Sequence, residues 1–184
     1  MPRLHTPGSI DTSPAASRAQ LSAVEKSLGS VPNLFRLVGN SPAALKGYLG
    51  LGSALSDAKL DAKTQERIAL AVAEIDRCDY CLSAHTYLGR HVAKLDDAEI
   101  TANRNAASND PKAAAAVRFA AQVVKARGHV TNEEVAAVSA AGFGEAEIVE
   151  IVLAVALNTF TNYVNEVAKT EIDFPLISAR SVAA

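Results

Sequence analysis

The chain has 184 residues, a formal net charge of -2 and a pI near 6.1, which leaves no electrostatic case for nucleic acid or anionic lipid as a partner. The length suits one domain able to bury a core without disulfide staples. Hydrophobic residues make up 49% of the chain, and thirty-six of its residues are alanine, the best helix former and a poor core filler, so closely packed helices supported by subunit contacts are expected.

Residues 1–13 lack a charged-then-apolar signal pattern and read as an N-terminal arm. Helices are predicted over 14–28, 33–39, 42–56, 61–76, 78–94, 97–106, 111–127, 132–140 and 145–169. Ser13-Pro14, Ser41-Pro42 and Asp110-Pro111 each offer an N-cap followed by proline at the first helical position. Asp96 with Glu99, and Thr131 with Glu134, have the capping-box spacing. Gly142-Phe143-Gly144 separates the last two helices. No stretch has the period-two, β-branched pattern of a strand, so the fold class is all-α. The run Ile151–Asn165, broken by Asn158, Thr159, Thr161 and Asn162, is too short and too polar to span a bilayer. The helical domain covers 14–175, and 176–184 reads as a tail; arm and tail are expected to pack on a neighbouring subunit. Leu70-Ala71-Val72-Ala73 recurs as Leu153-Ala154-Val155-Ala156, an echo that fits either an old helical duplication or chance in an alanine-rich chain.

Chemistry concentrates between Glu66 and His91. Cys78 and Cys81 are spaced C-x-x-C, and the expected compartment is the cytoplasm, where such a pair is catalytic or metal-binding rather than a staple. Residues three apart on a helix are neighbours, so the two sulfurs can approach disulfide distance. Cys78 falls at or just before a helix start, with Asp76 as its cap, where the positive helix end favours thiolate. His85 follows Cys81 by one turn on the same face and can take its proton. Cys81 is therefore the expected nucleophile. Cys78, placed nearer the solvent, is its resolving partner, though spacing also permits the reverse order. An orienting carboxylate for His85 is sought among Glu66, Glu74, Asp76 and Asp79, and spacing does not choose between them. The competing readings are a buried core pair and a zinc site from Cys78, Cys81, His85 and His91, with His91 awkwardly placed. His5 and His129 read as surface residues and Tyr80 as a packing residue with a satisfied hydroxyl. Asn158, Asn162 and Asn165 form a polar stripe, expected as an inter-helix hydrogen-bond seam in preference to a substrate contact.

The run Glu66-x11-Cys78-x2-Cys81-x3-His85 resembles the active-site signature of the alkylhydroperoxidase D (AhpD-like) branch of the carboxymuconolactone decarboxylase superfamily. The stretch Gly29–Arg36 with Ser41-Pro42, the lead-in Glu66–Leu70, and Asn158-x3-Asn162-x2-Asn165 ending in Asp173-Phe174-Pro175 extend the resemblance over roughly residues 28–175. It implies an all-helical bundle assembled as trimers or hexamers. It also implies peroxide reduction in which Cys81 becomes the sulfenic acid, Cys78 donates its proton and resolves, and His85 with Glu66 forms the proton relay. One position departs: the best-studied form has a histidine where this chain has Tyr80, a weaker base at neutral pH. Tyr80 and Glu74 are kept as auxiliary candidates.

The function expected from these features is a thiol-dependent peroxide reductase. Its oxidant is a small-molecule peroxide, and its electron donor is a dithiol on a lipoyl or thioredoxin-like protein, or a peroxiredoxin. Neither metal, flavin nor nucleotide is required, and no Gly-rich phosphate loop is present. The alternatives are a protein-disulfide reductase with little peroxidase activity, or a helical zinc-binding or scaffold module without turnover.

Overall fold

The computed structural model describes residues 1–180, and among these the regular structure is entirely helical. The helices are α1 (Ala15–Leu28), α2 (Asn33–Val38), α3 (Pro42–Ser56), α4 (Ala62–Ile75), α5 (Asp79–His91), α6 (Asp97–Arg104), α7 (Pro111–Lys125), α8 (Asn132–Ala140) and α9 (Glu145–Ala168). Each falls within a few residues of its predicted span because the punctuation is local. Ser41 and Asp110 accept hydrogen bonds from the backbone N–H groups of Ala44 and Ala113, and Thr131 with Glu134 closes a reciprocal capping box. Gly29 ends α1 at φ 77°, a left-handed cap that costs glycine little.

Two predicted caps differ. Ser13 does not cap α1: Pro14 is the N-cap, and the Ser13 hydroxyl donates to the Ser9 carbonyl. Asp96 caps α6 by accepting from Glu99 N, but the Glu99 side chain does not return to close a box. Its carboxylate accepts instead from Arg67 Nε at 2.7 Å, from Asn103, and from the backbone of Asn109, tying α4 to α6 and the loop after it. A buried partner with a full charge outcompetes a neutral backbone donor.

The α4 helix is the centre of the bundle, packing against α5, α6, α7 and α9. It buries an unbroken run from Arg67 to Ala73. Ala71 of α4 shares a buried cluster with Ala116 and Ala120 of α7, and such small side chains permit close helix approach. One apolar cluster joins α4, α7 and α9 through Ile68, Val72, Val117, Phe119, Ile151 and Val155. A second surrounds the cysteines with Leu21, Leu34, Leu45, Tyr80 and Leu82.

The α9 helix runs 24 residues, well beyond the uncharged stretch seen in the sequence, and by length and composition alone it is long and apolar enough to cross a membrane. Here it packs on α2, α3, α4, α5, α7 and α8. The repeated Leu-Ala-Val-Ala segments lie in α4 and α9, which pack together. The echo aligns the break between α4 and α5 with uninterrupted helix at Thr161–Tyr163.

Arm and tail both fold onto their own chain. Arg3 N donates to the Ala168 carbonyl at 2.7 Å, and Asn40 Nδ2 to the His5 carbonyl at 2.7 Å. Residues 174–180 run across α5: Ile177 N donates to Ser83 Oγ, Ala179 N to Asp79 Oδ1 and Arg180 N to Glu74 Oε1. The part of the predicted tail over 181–184 lies outside the described residues.

Candidate active site

The break between α4 and α5 sets the site. Asp76 ends α4 as its C-cap, so it is not the cap of the cysteine helix. Arg77 takes the left-handed conformation at φ 57° and turns the chain. Cys78 follows in extended conformation and is itself the N-cap of α5, its Sγ accepting from Cys81 N at 3.3 Å. The two cysteines are thus brought together at the helix start, as their spacing predicts. Cys78 is not nearer the solvent: it is 0% exposed and Cys81 is 2% exposed. Burial pushes the Cys81 thiol well above its ordinary value, Cys78 beside it adds to the rise, and polar groups of Asn165 and Thr161 oppose it. The helix start alone does not set thiolate character here, because desolvation is the larger effect.

His85 lies one turn beyond Cys81, and its Nδ1 is 2.8 Å from Glu66 Oε1 on the neighbouring α4. Both side chains are mostly buried. Burial disfavours charge on the imidazole, but the Glu66 carboxylate, with help from Asn158, more than offsets it and raises the His85 pKa. Glu74 is turned away: it accepts from Arg104 Nε at 2.6 Å and from Arg180 N at 2.8 Å. Asp79 accepts from the tail at Ala179, and Asp76 accepts from Asn162 Nδ2 at 2.9 Å. Of the four carboxylates left open by spacing, geometry brings only Glu66 to His85. Among the described residues no hydrogen bond joins His85 to either sulfur.

Tyr80 is buried, its hydroxyl accepting from Leu34 N at 3.1 Å and its ring meeting Phe174 edge-on at 5.9 Å. Burial pushes that hydroxyl far above the ordinary tyrosine range, so it stays protonated. His91 packs on Tyr87. No cluster of three or more His, Cys, Asp or Glu suited to a metal occurs among the described residues. His5 and His129 are exposed.

The polar stripe of α9 enters the site. Asn165 Nδ2 donates to Cys81 Sγ at 3.3 Å, Asn158 lies against His85, and Asn162 reaches Asp76. Sequence reasoning saw the stripe as a seam and missed its contact with the sulfur. The signal was the i, i+4, i+7 spacing of asparagines on an apolar helix, which states that something polar is opposite but not what. Tyr48 of α3, near Cys81, carried no sequence signal.

Fold and site together define an all-helical protein built around a buried C-x-x-C helix start backed by a glutamate–histidine pair. Residues 42–122, which hold all four of those side chains, match the Carboxymuconolactone decarboxylase family. An uncharacterized protein of Haemophilus influenzae is 45% identical over 65 residues, 35% of this chain and 52% of that one, so the chain matches about half the length of that relative. The fold is similar to that of an uncharacterized peroxidase-related protein with an alkylhydroperoxidase AhpD core from Ralstonia eutropha JMP134. Its TM-score is 0.82 and its identity 24%, with 94% of this chain and 92% of that one covered. It is also similar to the debrominase Bmp8 in complex with 2,3,4-tribromopyrrole, with TM-score 0.77, 20% identity, and 94% and 93% coverage. At these identities the likeness is one of fold.

Proposed function

We propose that this chain is a thiol-dependent peroxide reductase. The observation that carries the reading is the Glu66–His85 contact of 2.8 Å, one helical turn from a cysteine stacked on a second cysteine. His85 removes the Cys81 proton, and Glu66 holds the ring and its charge. The thiolate attacks one peroxide oxygen: an S–O bond forms, the O–O bond breaks, and the departing alcohol takes a proton from the imidazolium. Cys78 then attacks the Cys81 sulfenic acid; an S–S bond forms and water leaves. A dithiol donor restores both thiols by two exchanges and is itself oxidised to a disulfide. That donor is a lipoyl or thioredoxin-like protein, or a peroxiredoxin, in a reducing compartment such as the cytoplasm. The protein works as a homo-oligomer.

Burial of both sulfurs favours a small peroxide over a protein disulfide as oxidant. The test is mass spectrometry of the peptide spanning Cys78 and Cys81 after substoichiometric peroxide, with and without dimedone. Loss of two mass units supports the reading, and persistent free thiols overturn it. Stopped-flow oxidation by a protein disulfide, and turnover of 2,3,4-tribromopyrrole, are the comparison assays.

A further inference from the structure

We propose that Asn165 is a further catalytic residue: its side-chain amide holds the Cys81 sulfur and stabilises it as the attacking anion. The inference rests on Cys81 being the attacking sulfur of the proposed function. Asn165 Nδ2 is 3.3 Å from Cys81 Sγ, and both residues are 2% exposed, so no bulk water competes for that contact. The imidazole, which takes the proton in the proposed function, is committed through Nδ1 to Glu66 and makes no hydrogen bond to the sulfur among the described residues. A buried anion needs a donor aimed at it in advance, and a neutral amide supplies one without moving a proton.

The surroundings isolate this effect. The titratable groups near the sulfur are Cys78 and Tyr80 beside it in sequence, Tyr48 on α3, and the His85–Glu66 pair across α5 and α4. The α9 helix contributes only neutral side chains at this crossing: Asn158, Thr161, Asn162 and Asn165. Asn162 shares that buried face, yet its amide is spent on Asp76, which makes it an internal control. The Asn165 Oδ1 atom is buried without a protein partner. Asn162 Oδ1 is likewise without one, so the two amides differ in the partner of the donor end alone, Asp76 for Asn162 and the sulfur for Asn165.

The test measures the pH dependence of iodoacetamide alkylation at Cys81 in a Cys78→Ser background, which reads the thiol whether or not peroxide is a substrate. Asn165→Ala and the similar-sized Asn165→Leu are each expected to raise the apparent thiol pKa by about one unit or more, and to slow alkylation at neutral pH about tenfold. Asn162→Ala is expected to leave the profile in place. A purely structural role predicts the opposite sign, because a loosened core admits water and lowers the pKa. An unchanged or lowered pKa in either Asn165 variant that keeps its helical circular dichroism overturns the proposal, as does an equal rise in Asn162→Ala. If the parent protein fails to consume peroxide while the Asn165 variants still shift the pKa, the proposed function falls and this assignment stands.

Discussion

A sulfur at 2% exposure is a poor nucleophile until something supplies charge or hydrogen bonds, and here each neighbour has a separable effect. Cys81→Ser is expected to abolish peroxide consumption, while Cys78→Ser stops after one oxidation, trapped as a sulfenic acid that dimedone labels. Dimedone at Cys78 in the Cys81→Ser protein, with the rate retained, would reverse the order. Glu66→Gln is expected to lower the His85 pKa and slow Cys81 oxidation on the order of 10–100-fold, the scale of lost orienting partners in metal sites. Glu74→Gln should leave the thiol profile in place, because its carboxylate serves Arg104 and the tail. The His85 pair also has a pH signature. The folded-state pKa lies above the ordinary 6.5, so its stabilisation is complete below that value and is lost as pH rises through the folded-state pKa. Thermal melts of the parent and Glu66→Gln proteins across this range should converge at high pH.

At the scale of elements, the tail over α5 is held by its backbone on four side chains, Glu74, Asp79, Ser83 and Arg104, and by Phe174 against Tyr80. Ile177 and Ala179 pack against the cluster that contains both cysteines. A segment with few buried contacts opens more readily than the helices beneath it. Truncation after Asp173 is therefore expected to leave the helices folded and to speed iodoacetamide labelling of Cys78 and Cys81 on the order of tenfold. Unchanged labelling in a folded truncated protein would mean that the sulfurs are reached by another route. The Arg67–Glu99 pair is the second device at this scale. Burial opposes the Glu99 charge, but hydrogen bonds from Ser108, Asn109, Asn103 and Arg67 outweigh it and push its pKa down to about 2. Its stabilisation is complete above the ordinary 4.5 and is lost as pH falls toward 2. Glu99→Gln should cost about 3 kcal/mol in urea unfolding at pH 7, because Arg67 is left buried without its counter-charge.

For the whole molecule, the outer face of α9 is unusually apolar. Val149, Val152, Tyr163 and Val167 are exposed, and with Ala156 and Phe160 they follow a heptad-like spacing along one side of the helix. Exposed stripes of this kind mark contact surfaces, and a second copy of the chain is the expected occupant. Sedimentation is expected to give a homo-oligomer, a trimer or hexamer, and Val152→Lys with Val167→Lys should weaken it. A species near 19 kDa at micromolar concentration would contradict the assembly.

Helix number, order and most boundaries were legible in the sequence because capping and propensity act over three or four residues. The same locality exposed the C-x-x-C pair and the histidine one turn later. The choice of Glu66 over Glu74 was not local: both sit on α4, and only the packing of α4 on α5 sends one to His85 and the other to Arg104. Burial of Cys78 was misjudged for a related reason, since a helix start is solvent-facing unless α3, α9 and the tail close over it. The partner of Glu99 and the sulfur contact of Asn165 span 32 and 84 residues of chain, distances over which no periodicity carries information. Sequence alone determined which groups could do chemistry and on which helices they lie. The tertiary structure decided which of them meet, because desolvation and charge pairing depend on what the fold places opposite each side chain.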